Sequence, residues 1–324
     1  MQRSFLRTLF IILSVFVIYG CKPKPLDIDI KPAEEKIVIS SQLLLTQGIA
    51  VNLTKSFSSL DNLKNSEGNY NEEFLNKISI KNALVTITYN NETDTLNMLD
   101  NASGLYYNLN IPHYYYQEYV LNVWEPYSHT SISASSILLP QVNFQTISTE
   151  IKNKENENYL YVNYTIKDLD FISNWFMVSY SKLVNGKRLS LKRSLLPKNI
   201  PLNKTSLFVQ NPEAEEIEVF SDKDAFNNII SRTKKLNDVT IQDTIIIALV
   251  NIEEGYFNFL DTKIKAGGLA NSLGNEPINY KTNVKVGYGY FTTHNPYVVF
   301  LNKSEVLNIN SLNNIEDPIF NVFK

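Results

Sequence analysis

The amino-acid sequence predicts a mainly β protein. Short runs of β-branched and aromatic residues recur along it with period-two alternation, and only two stretches show helical spacing. Seven or so such runs fall within about a hundred residues, which is the signature of an immunoglobulin-like antiparallel β-sandwich. We place that sandwich at residues 36–142. A second β-rich domain, sandwich or barrel-like, is expected over 150–310, with two short helices near 222–232 and 253–266.

The first strands are KIVISSQLLL (36–45) and IAVNLTKSF (49–57), separated by Thr46, Gln47 and Gly48. A polar, Asn-rich stretch over 58–77 reads as a long surface loop. ALVTITYN (83–90) alternates Val85, Ile87 and Tyr89 against Leu84, Thr86 and Thr88, the pattern of a half-buried strand. The segment NNETDT reads as a turn leading into LNML (96–99), with further strands at 105–111, 118–126 and 131–140.

The second half opens with the polar stretch EIKNKENEN and the alternating strand YLYVNYTIKD (159–168). NWFMVSYSKLV (174–184) and KRLSLKRSLL (187–196) flank Asn185-Gly186, a strong short hairpin signal. DKDAFNNIISR starts at Asp222, a good N-cap, and spaces Ala225, Phe226, Ile229 and Ile230 as one helical face. EEGYFNFLDTKIKAGG places Tyr256, Phe257, Leu260 and Ile264 on one stripe and reads as ending at Gly267-Gly268. The closing strands are expected at 283–293 and 297–302.

The N-terminus has the three parts of an export signal over residues 1–20. Arg3 and Arg7 form a basic region, residues 9–18 are apolar except for Ser14, and Gly20 precedes Cys21. The apolar stretch is short for a hydrocarbon core of about 30 Å, so cleavage is expected. Cys21 is the single cysteine of the chain. It stands where the lipobox of bacterial lipoproteins, which this segment resembles, carries its acylated residue. Residues 21–35 follow as a Pro-rich, charged tether. Acyl chains on Cys21, palmitate among them, would bury methylenes at about 0.8 kcal/mol each and hold the chain to a membrane.

Taken in order, these segments resemble a family of Bacteroidota lipoproteins catalogued as a domain of unknown function, DUF4249. The resemblance rests on Cys21, KIVISSQL followed by VNLTKS, NALVTI, SGLYYNLNI and EYVLNV. It continues through IKDLDFISNWFMV, FSDKDAFN, EGYFNFL and the closing VKVGYGYF. His113 to Tyr116 departs from it, since the family more often has a Gly-containing turn there. The resemblance implies a lipid-anchored protein of the cell outer membrane with an immunoglobulin-like N-terminal domain. It also implies association with a TonB-dependent outer-membrane receptor, and it carries over no catalytic residues.

Composition and motifs narrow the chemistry. With 30 Lys+Arg against 33 Asp+Glu and a pI near 5.8, the chain has no broad cationic footprint, so no nucleic-acid partner is expected. One cysteine cannot form an intramolecular disulfide or a thiolate zinc site. His113, His129 and His294 read as loop residues outside any GxSxG or HExxH context. Asp168 and Asp170 supply too few ligands to hold calcium alone. No catalytic residue, cofactor or metal is therefore expected, and the chain is read as a non-enzyme. Aromatics are the enriched resource, with 19 Tyr and 17 Phe. Most suit strand cores, but three consecutive tyrosines in a turn cannot all point inward. Tyr114, Tyr115 and Tyr116, with Trp124, are the candidate ligand-binding residues. The expected role is a binding or accessory lipoprotein beside a TonB-dependent receptor; the alternative is a surface carbohydrate-binding or adhesive lipoprotein recognising a glycan.

Overall fold

The computed structural model describes residues 34–57, 72–99, 104–154, 157–167, 173–184, 187–190, 209–210, 216–225, 228–237, 243–273, 280–302 and 305–308. Seven strands build the N-terminal sandwich: β1 (Ile37–Leu44), β2 (Ile49–Lys55), β3 (Leu84–Tyr89), β4 (Glu92–Met98), β5 (Leu105–Asn108), β6 (Glu118–Glu125) and β7 (Thr130–Ile137). Their order is β1-β2-β5-β4-β3-β6-β7. β2 pairs with β5, skipping the β3–β4 hairpin, while β6 pairs with both β3 and β7. β4 serves both layers, with residues 92–96 on β3 and residues 97–98 on β5. Alternation sends Val85, Ile87, Leu121, Val123, Ile132 and Ala134 into one core with Ile39, Val51 and Leu53.

A tyrosine corner confirms the immunoglobulin-like assignment. Tyr119, at the start of β6 and 1% exposed, donates its hydroxyl to the Pro112 carbonyl at 2.7 Å. The same oxygen accepts the Tyr114 N–H at 2.8 Å. In such sandwiches the sixth strand is tied in this way to the backbone just upstream.

The second half contains two further sheets. β8 (Phe144–Lys154), β9 (Glu157–Lys167) and β14 (Ile229–Leu236) form one, in the order β14-β9-β8. The other comprises β10 (Trp175–Val184), β11 (Lys187–Ser190), β13 (Glu216–Ser221), β15 (Thr244–Ile252), β17 (Tyr297–Asn302) and β18 (Glu305–Asn308). Val162, Tyr164 and Ile166 of β9 pack against Phe176, Val178, Ile247 and Leu249 of that second sheet. A short strand, β12 (Val209–Gln210), pairs with β1. β15 is buried on both faces. Its Ile246, Ala248 and Val250 face a third core made with Leu43, Leu45, Tyr290 and helix residues Tyr256, Phe259 and Leu260.

Among the described residues there are two α-helices, α1 (Glu72–Ile78) and α2 (Glu254–Leu273). α1 corrects the loop expected over 58–77 at its C-terminal end. Its Phe74 is 9% exposed and packs edge-on to Phe57 at 5.3 Å. α2 is the helix expected near 253–266, but it runs through Gly267 and Gly268 to Leu273. Glycine costs about 1 kcal/mol inside a helix and need not end one.

Among the described residues the helix expected over 222–232 is absent. Only Asp222–Asp224 makes a single 3-10 turn, and Ile229–Leu236 is a strand paired with β9. Asp222 lies inside that turn and is not its N-cap, and its Oδ2 instead accepts the Asn174 N–H at 2.7 Å. Ile230 and Leu236 are buried with exposed and half-buried residues between them, and cross-strand packing outweighed the helical spacing. β4 also starts earlier than expected. Asn90 and Asn91 hold positive φ of 44° and 65°, a two-residue hairpin turn that asparagine tolerates, so Glu92 already lies in the strand. The hairpin about Asn185-Gly186 forms as expected, Val184 pairing with Lys187, although the two turn residues lie outside the described residues.

After α2 the chain returns to the N-terminal sandwich. β16 (Tyr288–Tyr290) pairs in parallel with β1, and Lys285 bridges Ser133 of β7. Residues 285–290 thus link the two ends of the strand series, and the sheet nearly closes. Asn283 fastens the return: its Nδ2 donates to the carbonyls of Ser135 and Phe291, and its Oδ1 accepts the Phe291 N–H. Residues 35–324 form one compact unit. Among the described residues no helix is long and apolar enough to cross a membrane.

Candidate functional site: the tyrosine turn and the polar seam

The turn between β5 and β6 holds Tyr114, Tyr115 and Tyr116 at the surface, 39%, 48% and 60% exposed. Its base is fixed. The Tyr116 N–H donates to the Leu138 carbonyl at 2.8 Å, the Leu138 N–H returns to Gln117, and Tyr119 ties the turn from below. Tyr116 takes a φ of +62°, which non-glycine residues adopt sparingly. The Tyr114 ring lies 6.1 Å from that of Tyr89, which stacks on Tyr119 at 5.3 Å. The tyrosines are thus displayed on a corner whose backbone is braced from below.

The turn rests on residues 292–296, which run along a polar seam between β1, β7 and the start of α2. Asn295 joins turn to seam: its Nδ2 donates to the Tyr115 hydroxyl at 3.1 Å, and its side chain hydrogen-bonds His113. Burial holds the His113 imidazole below its ordinary range, partly offset by that bond. Deeper in, the Ser136 hydroxyl donates to Glu253 Oε2 at 2.5 Å and accepts the Thr293 N–H at 3.1 Å. Thr292 donates its N–H to Ser41 Oγ at 2.7 Å. Burial pushes the Glu253 carboxyl up, against the bonds from Ser136 and the Ile137 backbone. Burial, with the Glu253 charge adding to it, lifts the neighbouring Tyr290 phenol to about 12.

His294 is 6% exposed, edge-on to Tyr256 at 5.7 Å, and hydrogen-bonded to the Gln42 backbone. Its Nε2 has no partner among the described residues. Burial drives its pKa down to about 4. The unfolded imidazole titrates near 6.5, so between these values only the unfolded chain binds the proton. Stability is therefore expected to fall by about 3 kcal/mol as pH drops from about 6.5 to about 4. Glu253, with its raised pKa, acts in the opposite sense, losing stability as pH rises through its folded value. Urea unfolding at several pH values should show a slope across this window that His294→Asn largely removes.

Ser136 is 2% exposed and donates to a carboxylate, while His294 bonds to Gln42, so the Ser-His-carboxylate order of roles is not present at this cluster. Among the described residues no group of three or more His, Cys, Asp or Glu side chains is placed to hold a metal.

The structure separates Trp124 from the three tyrosines. Trp124 lies near the far end of β6, about 20 Å along the strand from the turn, and is 40% exposed beside His129, whose ring is 6.0 Å away. Tyr106 and Tyr119 of the same aromatic run are core residues. Cys21, Asp168 and Asp170 lie outside the described residues. The seam is not legible in the sequence, because its parts come from positions as distant as Ser41 and Thr292. The one trace is the uncharged polar run Thr292-Thr293-His294-Asn295 between two apolar strands.

Successive β-sandwiches in one compact unit, with a braced tyrosine turn over a buried polar seam, define the class of molecule. Over residues 23–297 the chain matches the family described as a domain of unknown function (DUF4249), and it belongs to that family. No curated protein matches the chain.

Proposed function

We propose that the protein is a non-enzymatic lipoprotein of the cell envelope, acylated at Cys21 and attached to the outer membrane. In this reading it is a Bacteroidota protein that serves as an accessory to a TonB-dependent receptor, docking on it through Tyr114, Tyr115 and Tyr116. The observation that carries the reading is the exposure of these three rings on a corner fixed by Tyr119 and Leu138. Rigid aromatic side chains give large contact area at low entropic cost, which makes them effective anchors for a protein partner. A lipid tether confines the docking surface near the receptor and raises its effective concentration, so modest intrinsic affinity suffices.

Crosslinking of intact cells followed by purification of the tagged full-length protein tests this. An outer-membrane β-barrel receptor is expected with the wild type, its recovery falling by about tenfold for Tyr114→Ala/Tyr115→Ala/Tyr116→Ala with thermal melting little changed. Equal recovery with that variant, or no barrel protein with the wild type, would remove the assignment.

A further inference from the structure

The outer face of β4-β3-β6-β7 has an unusual composition. Register places Leu84, Trp124 and Ser131 in one row across β3, β6 and β7. The next row is Thr95, Thr86, Asn122 and Ser133, and the third is Thr93, Thr88, Val120 and Ser135. None of these positions is charged, in a chain where 19% of residues are, whereas protein surfaces commonly carry about 25–35%. Among the described residues charge enters at the margins, with Glu118 at one end and Lys285 along the β7 edge. Four strands about 4.8 Å apart make a patch roughly 14 Å across. The Thr88 and Thr93 hydroxyls lie 3.0 Å apart and bond each other. The side chains of Thr86, Thr95, Asn122, Ser131 and Ser133 have no protein partner among the described residues. At the Trp124 end, Tyr127 is 78% exposed and Leu84 54%.

We infer that this face is a binding site for a neutral saccharide chain, separate from the tyrosine turn. Each hydroxyl and amide on it both donates and accepts, as sugar hydroxyls do, so the two surfaces can pair in many registers. Trp124 and Tyr127 supply flat apolar faces with polar edges, against which the C–H face of a sugar ring stacks. The missing charge excludes nucleic acid and any strongly charged partner. Serine-rich composition also speaks against a protein partner, because protein interfaces are depleted in serine and their dominant contacts are rarely Ser or Thr. Strand propensity accounts for the threonines but gives no reason for Asn122 or for three serines in succession on the outer side of β7.

The site stands or falls apart from receptor docking, which uses the other end of β6. The test is native affinity electrophoresis of the full-length chain in detergent micelles, in gels cast with laminarin, dextran, arabinoxylan or mannan, with polygalacturonate as the charged control. At least one neutral polysaccharide is expected to retard the wild type. Trp124→Ala and the double variant Thr86→Val/Thr95→Val should each weaken retardation by about tenfold, while the triple tyrosine-to-alanine variant retains it. The valine pair keeps strand propensity, so it carries the test if Trp124→Ala fails to fold. No retardation by any neutral polysaccharide overturns the assignment. So does retardation unchanged in the valine pair, or binding to polygalacturonate alone. A dimer of the wild type that Trp124→Ala dissociates in sedimentation would overturn it too, giving the face to a second copy.

Discussion

Gly289→Ala is expected to lower the unfolding free energy by about 3–5 kcal/mol. Gly289 lies in β16, where its φ is +87°. A Cβ there would fall 1.8 Å from the Ile39 carbonyl oxygen and 2.8 Å from its carbon. Both contacts are backbone atoms of β1, a strand held on its other side by β2, so neither can yield cheaply. Relief requires moving β16 away from β1, which breaks the parallel pairing and with it the near-closure of the N-terminal sheet. Urea unfolding of the variant should show the loss, with Tyr288→Ala in the same strand costing about 1 kcal/mol or less. A Gly289→Ala protein as stable as the wild type would mean that residues 285–290 do not seat on β1 as described.

The second large effect is expected at Glu218. The hydroxyls of Tyr164 and Tyr180, two of the largest fully buried side chains, both donate to its Oε1. Tyr164 comes from β9 and Tyr180 from β10, so one carboxylate oxygen links the two sheets that enclose the second core. Burial first holds both phenols above their ordinary range, followed by the Glu218 charge at Tyr164 and by the charges of Tyr164 and then Glu218 at Tyr180, so both remain donors. Glu218→Ala strands two buried hydroxyls, at about 1–3 kcal/mol each, for a loss of about 2–4 kcal/mol after relaxation. Glu218→Gln keeps a carbonyl acceptor and should lose much less. Equal losses for the two variants, Gln being isosteric with Glu, would show that a shared carbonyl acceptor does not carry the effect and that the carboxylate charge does.

Much of the N-terminal sandwich was legible in the sequence because local alternation and burial agree there. Val85, Ile87, Leu121 and Val123 face the core as the period-two pattern requires. Helix α2 was legible from its spacing, but of the stripe read from sequence only Tyr256 and Leu260 are fully buried; Phe259 joins them in the third core, while Ile264 is 43% exposed. The segment at 222–232 was not, since its spacing suits a helix and only the antiparallel pairing of Ile229–Leu236 with β9 selects a strand. The return of β16 to β1 is non-local and left a single local trace, the glycine at 289. Of the candidate site, the exposure of Tyr114, Tyr115 and Tyr116 followed from their sharing one turn. The position of Trp124 did not follow, because proximity in sequence along an extended strand becomes distance in space.

Burial of His294 was likewise hidden, since a loop histidine carries no sign of what the chain later lays over it. The uncharged sheet face required register to be seen, as its residues are spread from Leu84 to Ser135 and meet only across strands.

The proposal that the folded unit works while tethered to a bilayer is tested most directly by labelling. Cells fed radiolabelled palmitate and expressing the wild type or Cys21→Ser should be separated into envelope and soluble fractions. Labelled wild-type protein in the outer-membrane fraction, with Cys21→Ser unlabelled and its processed form released to the soluble fraction, is the predicted result. A wild type that takes up no palmitate, or a Cys21→Ser protein that stays with the outer membrane as fully as the wild type, would contradict it.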